Sequence, residues 1–256
     1  VRLHHHLVLL LPRRMIELRL VKKRLGTRQV LDGLTLLVPK GTTYVLMGPS
    51  GSGKSVTLRH IIGILKPDSG SVKVDSLDVP AMNREQLMTL RKRMGYLFQN
   101  GALINWLTVA ENVALPLREH SRLGRREVQE RVMEVLRVVR MDHAADLHPS
   151  RISGGMKLRT GLARALVTQP EYVLYDEPNA GLDPVMSHQI HELICEVRGT
   201  LGVTGLVVTH SRACATICGD QIGILDGGRI AIEGKVAEMT HSDHPLARAF
   251  LGAGSD

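Results

Sequence analysis

The sequence predicts an α/β fold: a mostly parallel sheet with helices on both faces, an antiparallel β subdomain, and an inserted helical subdomain. Three observations predict it. Apolar, β-branched runs alternate with helical periodicity along most of the chain, as strand–helix–strand units do. Turn signals at Pro67-Asp68-Ser69-Gly70 and Asp226-Gly227-Gly228 fall among the early and late strands, where hairpins are expected to close. The stretch from about residue 101 to 168 is almost purely helical and lies between two core strands.

The elements follow in order. The first fourteen residues, VRLHHHLVLLLPRR, carry an apolar run shorter than a signal-peptide core, with no small-residue cleavage site after it. They read as an N-terminal extension outside the fold, and Met15 as its natural start, so one domain is expected over 15–256. Strands are predicted at Ile16–Val21, Thr43–Met47, Ser71–Val74, Met94–Phe98, Tyr172–Tyr175, Gly205–Thr209, Gln221–Leu225 and Arg229–Ile232. Helices are predicted at Lys54–Leu65, Arg126–Val139, Met156–Thr168, Val185–Arg198 and Arg212–Cys218.

Composition bounds the function. No apolar run approaches the roughly 20 residues that cross a bilayer, so passage through a membrane would need another chain. Lys and Arg exceed Asp and Glu by 33 to 25, a formal charge of +8. That balance suits nucleic acid, anionic headgroups or polyphosphate. The basic clusters are short and scattered (Lys22–Arg24, Arg91–Arg93, Arg122–Arg126), which reads as a solvated surface, with attraction to a membrane surface as the better alternative. Three cysteines suggest no disulfide framework. Cys214 and Cys218 follow His210 at four-residue spacing, and one helix could align all three. Zinc sites gather ligands from separated segments, so buried thiols are the favoured reading.

Chemistry begins at Gly48-Pro49-Ser50-Gly51-Ser52-Gly53-Lys54-Ser55, a full G-x-x-x-x-G-K-[ST] match between a strand and a helix. The glycines let successive N–H groups turn inward on phosphate oxygens, and the helix adds its positive end. Lys54 is suited to the β- and γ-phosphates and Ser55 to Mg²⁺. Val56, next in the helix, joins the same nucleotide-binding set. The core is thus a P-loop NTPase core, with ATP and Mg²⁺ as expected cofactors.

Three further strands end in polar residues. Tyr172-Val173-Leu174-Tyr175 finishes in Asp176-Glu177, and ligands of open α/β sheets bind beyond such carboxyl ends. Asp176 is placed to hold Mg²⁺ through water, and Glu177 to act as general base on the attacking water. Leu206-Val207-Val208-Thr209 delivers His210 to the same edge as a γ-phosphate sensor. Gln99 ends another strand and is suited to Mg²⁺ or the water.

Ser153-Gly154-Gly155-Met156 opens a helix of good formers and makes a second anion site. With this segment the chain resembles the ABC ATPases. P-loop, Gln99, serine–glycine signature, Asp176-Glu177, the Gly181-Leu182-Asp183-Pro184 turn and His210 occur in that family's order, across 15–239. The resemblance implies a head-to-tail dimer of two copies, in which Ser153, Gly154 and Gly155 cover the partner's ATP and Asp183 lies at the seam. Within the family the chain looks most like the Mla-type phospholipid transport ATPases. That likeness rests on Met156, where most relatives carry glutamine, and on the segments Arg91–Leu103 and Thr108–Glu119.

The implied function is an ATP-hydrolysing subunit that powers a separate membrane permease, with phospholipid as cargo. Amino acid, metal and lipoprotein are the alternative cargoes, and a soluble non-transport ABC ATPase is the remaining reading. A substrate-binding protein is a further partner, nucleic acid is not expected, and the implied location is the cytoplasmic face of the inner membrane. One departure matters. Relatives carry an aromatic residue near the first strand that stacks on adenine, whereas residues 15–43 contain none. Lys23 or Leu25 is expected in its place.

Overall fold

The structure is a computed structural model that describes residues 15–252. The extension at 1–14 lies outside the described residues. In chain order the elements are β1 (Met15–Leu25), β2 (Arg28–Pro39), β3 (Thr43–Met47), α1 (Lys54–Ile61), β4 (Ser69–Val74), β5 (Leu77–Asp78), α2 (Arg84–Lys92) and β6 (Met94–Leu97). There follow α3 (Val109–His120), α4 (Arg125–Val138), α5 (Gly154–Leu166), β7 (Tyr172–Asp176), α6 (Pro184–Leu201) and β8 (Thr204–Thr209). The chain then forms α7 (Arg212–Cys218), β9 (Gln221–Asp226), β10 (Arg229–Lys235), α8 (Val236–Thr240) and α9 (Pro245–Leu251).

Six strands form one sheet in the order β10-β9-β3-β8-β7-β6, parallel except for β10 at its edge. Four more form an antiparallel sheet in the order β2-β1-β4-β5. The α/β class is as expected from the sequence. Every residue of β3 and β8 is buried. Strands covered on both faces read as continuous apolar runs, as Tyr44–Met47 and Leu206–Val208 do. Alternate residues nevertheless serve different cores. Val45, Met47, Val173, Tyr175 and Val207 pack with α5, α6 and α7, while Tyr44, Leu46, Tyr172, Leu174, Leu206 and Val208 pack toward α1 and the antiparallel sheet.

Between β6 and β7 the chain makes α3, α4 and α5, whose apolar stripes (Val113 and Leu117, Val128 and Val132, Leu158 and Leu162) meet in one core. α3 starts at a reciprocal cap: the Thr108 hydroxyl accepts from Glu111 N (3.2 Å) and the Glu111 carboxylate from Thr108 N (2.9 Å). Buried Asn112 then bonds Ile104, Leu107 and Thr108 backbone groups, which fixes the loop ahead of the helix.

The structure adds β5, α2, α8 and α9 to the elements the sequence predicts and departs from that reading in three further places. Asp226–Gly228 does close the β9–β10 hairpin, but Pro67–Gly70 closes none. It leads from α1 into β4, which pairs with the distant β1, and the early hairpins turn at Gly26-Thr27 and Asp75-Ser76 instead. A turn signal shows that the chain bends, not which strand it pairs with afterwards. The first helix ends at Ile61 rather than Leu65, because Gly63 takes a left-handed φ of 67° and stops it. Strand β2 is not among the predicted strands. Its apolar alternation is interrupted around Asp32-Gly33, where register shifts break the pairing with β1.

One close approach ties the central strand β3 to the edge strand β10 across β9. The Tyr44 hydroxyl, held protonated by burial and by the Glu233 carboxylate, donates to Glu233 Oε2 at 2.7 Å. It runs so close to Gly223 that a Cβ there would sit 1.9 Å from the hydroxyl oxygen and 2.8 Å from the ring. Gly223→Ala is therefore expected to destabilise the fold by about 1–3 kcal/mol through overpacking, read as a lowered urea midpoint. An unchanged midpoint contradicts this packing.

Candidate functional site

The cradle forms where β3 runs out of buried sheet. Gly48, at φ 155°, leaves no room for a side chain: a Cβ would lie 2.5 Å from the Leu225 carbonyl oxygen. Gly53 precedes α1 at φ 110°, where a Cβ would meet Leu31 at 2.8 Å. The loop can hold this curl only with glycine at both positions. Gly51 lies between them, and its carbonyl accepts from Arg28 Nη2 at 2.9 Å.

Lys54 is buried, and its ammonium is fully engaged. Nζ donates to the carbonyls of Gly48 (2.8 Å) and Pro49 (3.2 Å) and lies 3.5 Å from Glu177 Oε1. The other oxygen of Glu177 faces His210, at 3.0 Å from Nδ1 and 3.3 Å from the backbone N. Glu177 itself adopts φ 48°, an uncommon conformation for a non-glycine residue. Its N–H donates to the Val208 carbonyl at 2.9 Å, so the strained turn is pinned to the neighbouring strand while the carboxylate points at the cradle.

Ser55 Oγ donates to Asp176 Oδ1 at 2.8 Å, bringing two hard oxygen donors together at the mouth of the P-loop. An oxygen-only pair of this kind, next to a phosphate cradle, fits a hard divalent cation such as Mg²⁺. Donors from Ser55 and Asp176 would hold it.

A cleft of about 450 Å³ gathers Ser50, Gly51, Gly53, Lys54, Ser55, Val56, Gln99, Glu177 and His210, with Leu25, Arg28, Val30 and Ala180 around its rim. Gly48 and Pro49 stand behind it as the acceptors of Lys54, and the Ser52 hydroxyl is buried without a partner among the described residues. Asp176 joins the site through Ser55. The remaining expected residues lie elsewhere. Ser153 caps α5 through its hydroxyl (3.3 Å from Met156 N), with Ser153 and Gly154 exposed. Gly155 is buried against Met186 of α6. Exposed Asp183 caps α6, accepting from Met186 N at 2.9 Å. The signature therefore packs against the start of α6, which Asp183 caps, and neither lines the cleft.

Two expectations are corrected. Lys23 does not reach the cleft: its Nζ donates to Asp68 Oδ1 at 2.7 Å, and Asp68 also accepts from Arg24 N. Of the two candidates for the missing aromatic, Leu25 is the one on the rim. His210, Cys214 and Cys218 do not share a helix face, since α7 begins at Arg212, Ser211 caps it, and the two thiols are buried in the core. Arg28, Val30 and Ala180 are rim residues that sequence reasoning missed, and Arg28 is the charged one. It opens the strand whose pattern the bulge disrupts, and nothing local marks a lone arginine as a cleft residue.

A profile of the ABC transporter family matches residues 31–180. The chain is 39% identical over 242 residues to the intermembrane phospholipid transport system ATP-binding protein MlaF of Escherichia coli K12, covering 94% of this chain and 90% of that protein. It is also 39% identical over 236 residues to a probable ribonucleotide transport ATP-binding protein of Mycobacterium leprae, covering 92% of this chain and 68% of that one. Among solved structures it resembles the dimeric post-hydrolysis state of the ATP-binding cassette MJ0796 bound to ADP and Pi. There the identity is 32%, the TM-score 0.79, and the coverage 86% of this chain and 98% of that one.

The rim sets an expectation for nucleotide selectivity. Leu25 and Val30 offer apolar cover that does not distinguish one purine from another, and the Arg28 guanidinium is turned to the Gly51 carbonyl. Mg-ATP and Mg-GTP are therefore expected to bind within about tenfold of each other, or roughly 1.4 kcal/mol, in titrations on a Glu177→Gln background. Leu25→Tyr should tighten ATP several-fold, since base–aromatic stacking is worth on the order of 1–3 kcal/mol. A preference for ATP above a hundredfold contradicts the apolar-rim account.

Proposed function

The chain belongs to the ABC transporter family as an ATP-binding, ATP-hydrolysing subunit, and on that premise we propose that it drives a phospholipid-transporting permease as one half of a head-to-tail dimer. The observation that carries the catalytic reading is the Lys54–Glu177–His210 cluster. Lys54 lies 3.5 Å and His210 Nδ1 3.0 Å from opposite oxygens of one carboxylate, beside a phosphate-shaped loop.

Lys54 spends its charge on Gly48, Pro49 and Glu177. A triphosphate in the loop draws the ammonium onto β- and γ-oxygens, where it is opposed by far more negative charge. Glu177 is thereby released from Lys54 and keeps only His210. It can then accept the proton of a water aligned for attack on the γ-phosphorus, while His210 holds the carboxylate and meets the developing phosphate charge. Gln99, on the same cleft wall, orients that water. Bound by Ser55 and Asp176, Mg²⁺ supplies neutralisation of the phosphate oxygens.

The signature residues support the dimer reading. Ser153 and Gly154 are exposed at the start of a helix with no acid in its first turn, an arrangement that favours an anion. In the cleft of the same subunit they take no part, so their anion belongs to a second copy, and exposed Asp183 at the neighbouring cap falls at the seam. A two-fold pair makes two such composite sites.

No helix among the described residues is long and apolar enough to cross a membrane. On the likeness to transport-system relatives we assign the subunit to the cytoplasmic membrane face, working through a permease with a substrate-binding protein as a further component. Phospholipid is favoured as cargo by the E. coli phospholipid system protein, 90% of whose length this chain covers.

Glu177→Gln is expected to slow hydrolysis by about 10²–10⁴-fold while keeping ATP affinity, and to trap an ATP-bound dimer visible by size-exclusion chromatography. Lys54→Ala should instead cost about tenfold or more in ATP affinity, from a lost charge-assisted contact. Normal turnover by the glutamine variant overturns the assignment of the base. The cargo is tested by reconstituting the subunit with its permease in vesicles: phospholipid should raise ATP turnover, and stimulation by methionine or ribonucleotide instead overturns the lipid reading.

A further inference from the structure

We propose that Tyr96 is a positioning residue for the metal-binding carboxylate, holding Asp176 in the orientation that turns its other oxygen to Ser55. The proposal rests on the reading of Ser55 and Asp176 as the metal donors. Asp176 is the last residue of β7, where the sheet's burial gives way, and both of its oxygens are occupied. Oδ1 accepts from Ser55 Oγ at 2.8 Å, and Oδ2 accepts from the Tyr96 hydroxyl at 3.0 Å. A carboxylate held at one oxygen alone can rotate about its last torsion, which is broad for Asp. Held at both, it presents Oδ1 to the P-loop in a single orientation.

The parallel pairing of β6 with β7 makes this reach possible. Tyr96 sits opposite Leu174, two residues before Asp176, and a tyrosine side chain is long enough to cover that distance along the strand edge. Its ring is fixed from behind by Phe98, with centroids 4.2 Å apart and planes tilted 35°. A tyrosine hydroxyl is protonated at neutral pH, and facing a carboxylate oxygen at 3.0 Å it is the donor of this bond. Phenylalanine at this position would keep the ring contact and lose only the donor.

The experiment separates metal from nucleotide. On a Glu177→Gln background, ATP affinity is measured with Mg²⁺ and again with EDTA, for the parent, Tyr96→Phe and Asp176→Asn. Tyr96→Phe is expected to weaken the Mg²⁺-dependent binding by about tenfold, the scale of one hydrogen bond to a charged group, and to leave metal-free binding within about twofold. In the otherwise unaltered enzyme it should raise the Mg²⁺ concentration for half-maximal turnover while kcat at saturating Mg²⁺ is largely retained. Equal losses with and without metal would assign Tyr96 a packing role and overturn the proposal, as would no change in either. Asp176→Asn distinguishes the two levels of failure. If it removes the metal dependence and Tyr96→Phe does not, only the role of Tyr96 falls. If neither does, the reading of Asp176 as a metal donor falls with it.

Discussion

Burial of the central strands on both faces is the constraint from which the site follows. β3 and β8 bury every residue, and β7 buries all but Asp176, between the helices on one side and α1 with the antiparallel sheet on the other. A charged side chain within such a strand would pay a desolvation cost that no neighbour could offset. Polar chemistry is confined to the residues just past the strand ends, and because the strands are parallel these ends lie on one edge. Gly48, Asp176, Glu177 and His210 arrive there together for that reason. The position of the cleft is a consequence of sheet packing before it is a matter of ligand.

At that edge the protein assembles charge in a closed set. Lys54 is paired with Glu177 and bonded to two P-loop carbonyls, Glu177 also meets the His210 ring and backbone N–H, and Asp176 accepts from two hydroxyls. Buried charges persist only when paired in this way. The pairing also gives the site a built-in response, since an incoming polyanion competes first for Lys54 and so changes the environment of the carboxylate next to it. Anion binding at Lys54 and the surroundings of Glu177 are thereby coupled through one ammonium group.

The signature helix follows a different logic. Gly155 lies where a Cβ would come within 2.3 Å of Met186, and Arg159 Nη2 donates to Gln189 at 2.5 Å, so the start of α5 is packed on α6. The Asp183 cap and the Ser153 cap thus lie close together on packed helices.

The chain by itself determined whatever is written in consecutive residues. Gly48–Ser55 specifies the cradle because backbone curl, helix start and lysine are all local to eight positions, and Tyr172–Glu177 specifies the acid pair because an apolar strand ending in two carboxylates is legible at once. The sheet class was legible too, from strands that alternate with helices. Tertiary structure alone decided the pairings across long separations: Tyr96 with Asp176, 80 residues apart, Lys54 with Glu177 across the sheet, and Arg28 with the Gly51 carbonyl at the rim. It also took Lys23 away from the cleft, to Asp68. Periodicity and motif register only what neighbours in sequence do to one another. Which strand lies beside which, and how far a side chain then reaches, is set by burial of the whole sheet, and no local pattern encodes it.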